Sequence, residues 1–270
     1  MSVVVMILSA IAVIAAVRYG LLAGLDEVAG SLRWSAKVRG QVTGLATSVP
    51  ELVTLVSAGL AGVWEAGLWN VASSNIINAV LMVTAVLYFR QWRELKRRQF
   101  IDEVVFGGLA VAVPVVLMGL GLDTHWLLVP VLYGFFVVYR LVDRWANAGT
   151  GVPAGEDAAG SLRWGLILGT TALVAIAVAG TFLGGATKDV VDQLGLHPAL
   201  AGWILGLVTS LPELVTFFAV YSASHDAGTL GGVADTQEVL DNLTSSNMAN
   251  VGLVYPTGLL AFLLAASLLS

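Results

Sequence analysis

The sequence contains no cysteine and few charged residues. The absence of cysteine excludes disulfide bonds and thiolate metal ligands. Only 11% of the 270 residues are Asp, Glu, Lys or Arg, whereas soluble domains carry about 25%. The net charge of −5 argues against a nucleic-acid partner. The composition therefore differs from that of a soluble globular domain.

Long apolar runs take the place of the missing charge. Hydrophobic residues make up 57% of the chain, and the mean hydropathy is +0.87. Runs of about 20 apolar residues can cross a lipid bilayer as helices, and these runs do not alternate as barrel strands do. We predict an all-α, multi-pass membrane protein with about eight transmembrane helices. Their approximate bounds are Ser2–Leu25, Gln41–Val63, Leu68–Phe89, Val104–Leu122, Trp126–Val142, Leu166–Leu183, Ala199–Ala223 and Leu243–Leu269.

Lysine and arginine are concentrated in alternate loops. If the N-terminus lies outside, eleven of the 13 basic residues fall in inner loops, and the one in an outer loop is Lys188. Positively charged loops remain on the cytoplasmic side of a membrane. We therefore predict that the N-terminus is outside.

An eleven-residue motif occurs twice, as GLATSVPELVT at Gly44–Thr54 and as GLVTSLPELVT at Gly206–Thr216. The first copy lies on the second predicted helix and the second copy on the seventh. An odd offset of five helices makes the two copies cross the membrane in opposite directions. Inverted repeats of this kind are common in secondary transporters, whose substrate site lies near the midplane.

The repeats suggest a division of one integral membrane domain into two halves. The first half covers residues 1–146, with its repeat at about 41–89. The second half covers residues 166–270, with its repeat at about 199–260. A Gly- and Ala-rich cytoplasmic linker, residues 147–165, is predicted between them.

Each motif is predicted to break its helix at a proline, Pro50 or Pro212. Proline lacks an N–H and clashes with the carbonyl four residues back, so the carbonyls of Ala46 and Val208 lose their helical partners. The motif glycines, Gly44 and Gly206, are expected to add flexibility. Freed carbonyls beside hydroxyls and a carboxylate are ligands for a hard cation. The side chains concerned are Thr47, Ser48 and Glu51 in the first copy, and Thr209, Ser210 and Glu213 in the second.

A stripe of polar residues follows each motif at helical spacing. Residues at i, i+4 and i+8 share one helix face. Hydrogen bonding between helices would explain one such stripe, whereas two matched stripes favour a binding site. The stripes are Asn70, Ser74 and Asn78 in the first copy, and Asn242, Ser246 and Asn250 in the second. We include Ser74, Ser246, Asn78 and Asn250 among the predicted cation ligands.

Glu51 and Glu213 are the only acids that we place well inside the predicted helices. A carboxylate inside a membrane is costly and usually functional, and two neighbouring carboxylates cannot both stay ionised without a counter-ion. Competition between a divalent cation and protons or monovalent cations is the minimal requirement of an antiporter. Flexible oxygen ligands suit Ca²⁺ better than Mg²⁺. We predict a transporter, with no enzymatic reaction and no cofactor, in which both glutamates bind the metal.

The residues TSVPE and TSLPE, each followed by a helix containing SN, resemble the two α-repeats of the sodium/calcium exchangers. This family belongs to the calcium/cation antiporter superfamily, and the similarity is to prokaryotic members with two inverted repeats. The resemblance implies exchange of Ca²⁺ for Na⁺ across a prokaryotic plasma membrane by alternating access, with the first and sixth helices moving. It implies that Glu51 and Glu213 bind Ca²⁺ and share in binding Na⁺. It further implies backbone ligation by Thr47 and Thr209 and sodium ligation by Ser48, Ser210, Ser74 and Ser246.

The sequence departs from the family pattern in several places. Both Asn78 and Asn250 are neutral, whereas the family often has an acid at one of these positions. The usual GSN is SSN in both copies, and the glutamate-to-asparagine spacing grows from 27 to 37 residues in the second. Typical members have ten helices, so either the core here tolerates exposure or a second subunit of a homo-oligomer covers it.

Two alternatives remain open at this point. A proton-coupled antiporter, or one for another divalent cation, would keep the same fold. A cation channel or a membrane-embedded sensor would belong to a different class, against which the inverted repeat argues. The acidic segment between the seventh and eighth helices, residues 224–241, is expected to be a solvated loop.

Overall fold

The computed structural model describes residues 2–146, 160–195, 197–231 and 233–269, and within these ranges the chain is helical without strands. Among the described residues, seven helices have the length and hydropathy to cross a membrane, and the helix Leu128–Ala146 is an eighth candidate. The helices are α1 (Ser2–Leu32), α2a (Ala36–Thr47), α2b (Val49–Leu60), α3 (Trp64–Tyr88), α4 (Ile101–Gly119), α5 (Leu128–Ala146), α6 (Leu162–Leu194), α7a (Pro198–Thr209), α7b (Leu211–Asp226) and α8 (Val233–Leu269, including a π-helical turn).

The predicted fold class is confirmed, including the breaks in the second and seventh helices. Several bounds differ from the prediction. Helix α1 ends at Leu32 instead of Leu25, and α6 ends at Leu194 instead of Leu183. Residues 147–159 of the predicted linker lie outside the described residues, and α6 begins at Leu162. Hydropathy locates the apolar part of a helix, whereas the helix itself continues into polar sequence.

The first repeat packs against the second through α2a and α8. Glycines allow this close approach, because a Cβ on Gly40 would lie 2.5 Å from the carbonyl oxygen of Glu238. A Cβ on Gly44 would lie 2.9 Å from the backbone nitrogen of Ser246. Small residues at such positions let membrane helices pack backbone to backbone.

The second repeat makes the equivalent contact with the first repeat, through α7a and α3. A Cβ on Gly202 would lie 2.6 Å from the carbonyl oxygen of Ala66, and one on Gly206 would lie 3.0 Å from that of Asn70. The glycine of each motif is therefore a point of close helix packing, a role that was not predicted from the sequence. The half of each broken helix that precedes the break is fixed to the opposite repeat.

The remaining helices surround this central pair of contacts. Helices α1 and α6 pack on each other through Val13, Val17 and Ile176, and α6 also contacts α2b. Helices α4 and α5 lie against α8, where Phe106 and Tyr139 join a large apolar cluster. Each broken helix thus buries one face in the bundle, while α7a also has an exposed apolar face that includes Leu200, Ile204 and Leu207.

The ten extra residues of the second repeat are mostly helical. Helix α7b has 16 residues where α2b has 12, and α8 begins 17 residues before Asn250 where α3 begins 14 before Asn78. The expectation of a solvated acidic loop is therefore wrong for Asp235 and Asp241, which lie on α8 and are buried. Residues 225 and 226, His and Asp, are exposed as expected.

Candidate cation-binding site

The two helix breaks have the same backbone geometry. Ser48 has φ −82° and ψ −4°, and Ser210 has φ −83° and ψ 0°. Each serine ends one helix segment and begins the next, whose first turn contains the proline and the glutamate. Proline is well tolerated in a first turn, where its missing N–H has no helical partner. Each glutamate consequently lies at a helix N-terminus, where negative charge is favoured.

The carbonyls that the prolines were predicted to free, those of Ala46 and Val208, lie just before the breaks. Proline cannot donate to either carbonyl, and each is approached instead by the backbone N–H of the serine two residues on. The helix resumes beyond the proline, since the N–H of Leu52 donates to the carbonyl of Ser48 at 3.0 Å. The break is therefore confined to a single turn.

Ser74 connects the glutamate of the first motif to the second motif. Its hydroxyl donates to Glu51 Oε1 at 2.8 Å and lies 3.0 Å from the hydroxyl of Ser210. Ser74 comes from the polar stripe of α3, and Ser210 lies at the break of the other repeat. One half of the site thus combines residues from both copies.

Ser246 repeats this arrangement in the other half. Its hydroxyl donates to Glu213 Oε1 at 3.1 Å and lies 3.1 Å from the hydroxyl of Ser48. The structure therefore brings together both predicted glutamates and all four predicted serines. Thr209 lies beside Glu51 and Thr47 beside Glu213, so the motif threonines also approach the glutamate of the opposite copy.

Asparagines of the two repeats form a second set of reciprocal hydrogen bonds between the repeats. The Nδ2 of Asn78 donates to Asn247 Oδ1 at 3.2 Å, and the Nδ2 of Asn250 donates to Asn75 Oδ1 at 2.8 Å. Asn75 and Asn247 were not among the predicted site residues. The sequence did carry one indication of their importance, because both copies have asparagine at this position.

Four side-chain oxygens of the predicted ligands are buried without a hydrogen-bond partner among the described residues. They are Glu51 Oε2, Glu213 Oε2, Asn78 Oδ1 and Asn250 Oδ1, and their side chains are all 0% exposed. Buried polar atoms are nearly always paired in folded proteins. The two carboxylates are also close enough for their charges to interact. These features fit a site that receives hard cations as substrate.

A cavity of about 630 Å³ opens on one face of the bundle. We call this the Lys37 face; α2, α4, α6 and α8 begin there. Its walls come from α1, α2a, α7b and α8. The cavity reaches Thr43 and Thr216, which lie four residues before Thr47 and three residues after Glu213. It therefore approaches the site from one side.

A second buried polar cluster was not expected from the sequence. The Nζ of Lys37 lies 2.6 Å from Asp143 Oδ1, 3.3 Å from Asp241 Oδ1 and 3.5 Å from Glu103 Oε1. The Nε2 of Gln41 donates to Asp143 Oδ2 at 2.9 Å. The expectation that the motif glutamates are the acids within the helices was therefore incomplete. The early start of α8 places Asp241 inside, and the Lys37 ammonium compensates its charge.

An inverted pair of broken helices, with two buried carboxylates between them, defines a multi-pass secondary transporter for cations. The sequence profile of the sodium/calcium exchanger protein family matches residues 2–142 and 164–267. The chain therefore belongs to the sodium/calcium exchanger family, whose members are cation/Ca²⁺ antiporters and transporters rather than enzymes. The family predicted from the two motifs is confirmed.

Comparison with solved structures shows the same fold. The sodium-calcium exchanger NCX_Mj, soaked with 2.5 mM Na⁺ and 10 mM Sr²⁺, is 23% identical with a TM-score of 0.53, covering 99% of this chain and 86% of that chain. The H⁺/Ca²⁺ exchanger CAX is 14% identical with a TM-score of 0.61, covering 98% of this chain and 68% of that chain. No match was found among curated proteins.

Proposed function

We propose that the protein exchanges Ca²⁺ for Na⁺ across a prokaryotic plasma membrane, with its N-terminus outside. The observation that carries this proposal is the pair of glutamates, each bonded through a serine to the motif of the opposite repeat. Each glutamate keeps one buried oxygen unpartnered. Glu51 and Glu213 are the central ligands of this proposal.

The charge of the site supports competition between Ca²⁺ and monovalent ions. Two carboxylates balance one divalent cation or two monovalent ones, and like charges at close range need such compensation. The amide oxygens of Asn78 and Asn250 add neutral ligands without a third negative charge. We assign two kinds of ligand to the separate sodium positions. They are the backbone carbonyls of Thr47 and Thr209 and the hydroxyls of Ser48, Ser74, Ser210 and Ser246.

Alternating access is supported by the cavity on the Lys37 face. Residues 18–26 of α1 form one of its walls, and α1 packs mainly on α6. In the proposed mechanism these two helices move together across the fixed pair of repeats. The movement closes the cavity on one side and opens a path on the other. Binding of ions at the glutamates biases the equilibrium between the two states.

Proton coupling is the second candidate, and the neutral Asn78 and Asn250 favour it. With only two carboxylates among the proposed ligands, two protons replace one Ca²⁺ without any sodium position. The fold is also similar to that of the H⁺/Ca²⁺ exchanger CAX. The paired prolines, Pro50 and Pro212, favour the sodium branch of the family.

Flux measurements on reconstituted vesicles test these assignments. Vesicles loaded with Na⁺ are diluted into Na⁺-free buffer, and uptake of labelled Ca²⁺ is followed. We expect uptake that depends on the Na⁺ gradient and stops when K⁺ replaces internal Na⁺. Uptake driven only by an imposed pH gradient would reject sodium coupling in favour of protons. Uptake without any counter-gradient would indicate a channel.

A further inference from the structure

We propose that Asn75 and Asn247 are positioning residues that turn the amide oxygens of Asn250 and Asn78 toward the transported cation. An asparagine amide presents an oxygen on one side and an NH₂ group on the other. Only the oxygen can ligate a cation, and an NH₂ group in its place would repel it. The orientation of each ligand amide therefore decides whether it contributes to the site. This inference rests on the proposed function.

The orientation begins at the backbone carbonyl of Ala110 on α4. A carbonyl can only accept a hydrogen bond, so the Nδ2 of Asn75 must point to it, at 2.9 Å. The Oδ1 of Asn75 then faces Asn250 and receives the Nδ2 of Asn250 at 2.8 Å. The Oδ1 of Asn250 is consequently directed away from Asn75. It is the buried oxygen that has no protein partner among the described residues.

The mirror arrangement starts from the backbone of Asn75. Its carbonyl accepts from the Nδ2 of Asn247 at 3.1 Å, which turns the Oδ1 of Asn247 toward Asn78. The Nδ2 of Asn78 donates to this oxygen at 3.2 Å, and the Oδ1 of Asn78 is left unpartnered. All four asparagine side chains are buried. Contacts within the protein therefore set the orientation of each amide.

A purely structural role predicts something different for the same residues. If Asn75 only joined α3 to α4, its loss would weaken the fold in any background. If it orients Asn250, its loss matters only while residue 250 is an amide. An aspartate at 250 presents an oxygen in either orientation, so it makes the orienting contact unnecessary.

The test is a double-mutant cycle with equilibrium binding of labelled Ca²⁺ to the purified full-length protein. We expect Asn75→Ala to raise the Kd for Ca²⁺ about tenfold, the size of effect of one lost buried hydrogen bond. In the Asn250→Asp background, where no amide needs to be oriented and a carboxylate oxygen faces the Oδ1 of Asn75, the same substitution is expected not to raise Kd. The matched control is Ser73→Ala, which removes the buried hydrogen bond to the Gly202 carbonyl, 3.2 Å long, and is expected to leave Kd unchanged.

The mirror set repeats the cycle with Asn247→Ala, Asn78→Asp and the control Ser245→Ala. It also serves if Asn75→Ala does not fold. An equal loss of affinity in the amide and aspartate backgrounds would overturn the proposal, as would an unchanged Kd for the alanine variants. Absence of Ca²⁺ binding by the wild-type protein would instead reject the proposed function, so the two failures are distinguishable.

Discussion

At the scale of single residues, each motif glutamate divides its two carboxylate oxygens between the protein and a potential ligand. Oε1 accepts from a serine of the same repeat, and Oε2 is buried without a partner among the described residues. The serine contact holds the carboxylate in place, and the second oxygen is available to a cation. Both oxygens of each carboxylate therefore have a role in the proposed mechanism.

Replacing either glutamate by glutamine keeps its shape and removes its charge. We expect Glu51→Gln and Glu213→Gln each to reduce Na⁺-driven Ca²⁺ uptake to the level of empty vesicles, because one remaining carboxylate cannot balance a divalent cation. The matched control is Asp226→Asn, an exposed acid at the end of α7b, which is expected to transport normally. Full transport by either glutamine variant would contradict the site assignment.

Lys37 is not among the proposed ligands, and its ion pairs join helices of the fold. Its side chain is only 12% exposed and lies among three carboxylates from α4, α5 and α8. Removing one partner of a buried ion pair leaves uncompensated charge and costs about 3–5 kcal/mol. We therefore expect Lys37→Met to lower the free energy of unfolding by about that amount.

The measurement for Lys37 is thermal unfolding in detergent. Lys96→Met is the matched control, because Lys96 is exposed and contacts only the ring of Trp92, at 4.4 Å, among the interactions described. Its melting temperature is expected to stay close to that of the wild type. Equal melting temperatures for the two variants would show that the cluster around Lys37 does not stabilise the fold.

At the scale of helices, the contact between repeats depends on glycine. Gly40 and Gly202 occupy matching positions on α2a and α7a, and at each a Cβ would collide with a carbonyl of the opposite repeat. We expect Gly40→Ala and Gly202→Ala to destabilise the protein by about 1–3 kcal/mol, the usual cost of overpacking. They are also expected to weaken Ca²⁺ binding, because the helix segment that precedes each break moves with the contact.

Gly108 on α4 provides the control for these substitutions. A Cβ there meets nothing within 4 Å, so Gly108→Ala is expected to be neutral, or to stabilise by up to about 1 kcal/mol through helix propensity. The melting temperature and the Kd for Ca²⁺ are measured for all three variants and compared with those of the wild type. If all three behave alike, close packing of the repeats is not what Gly40 and Gly202 provide.

The sequence was informative wherever chemistry is local to one helix. Hydropathy predicts the eight helices, and proline at 50 and 212 predicts the two breaks, because both effects act within a few residues. The repeat predicts that the glutamates meet. The partners of Lys37 could not be predicted in this way, since Asp143 and Asp241 are more than 100 residues away in the chain. The early start of α8 was also missed, because its polar first turns are buried by tertiary contacts that hydropathy does not register.

At the scale of the whole molecule, cavities lie at both faces of the bundle, and the one of about 630 Å³ extends toward the site. It opens on the Lys37 face, the face that the distribution of lysine and arginine predicts to be cytoplasmic. The ten additional residues of the second repeat also lie at this face, where they lengthen α7b and α8. In the predicted orientation this cavity faces the cytoplasm and approaches the site from that side, while the proposed ligands themselves are buried.

Orientation can be measured directly because the chain contains no cysteine. Thr229→Cys places a thiol on the Lys37 face, in the loop between α7b and α8, and Thr124→Cys places one on the opposite face, between α4 and α5. Both positions are exposed. In intact cells, we expect a membrane-impermeant maleimide to label Thr124→Cys and not Thr229→Cys, and both should react after lysis. The wild-type protein gives the background without any cysteine to remove. The reverse pattern in intact cells would place the Lys37 face outside, and the cavity would then receive ions from the extracellular side.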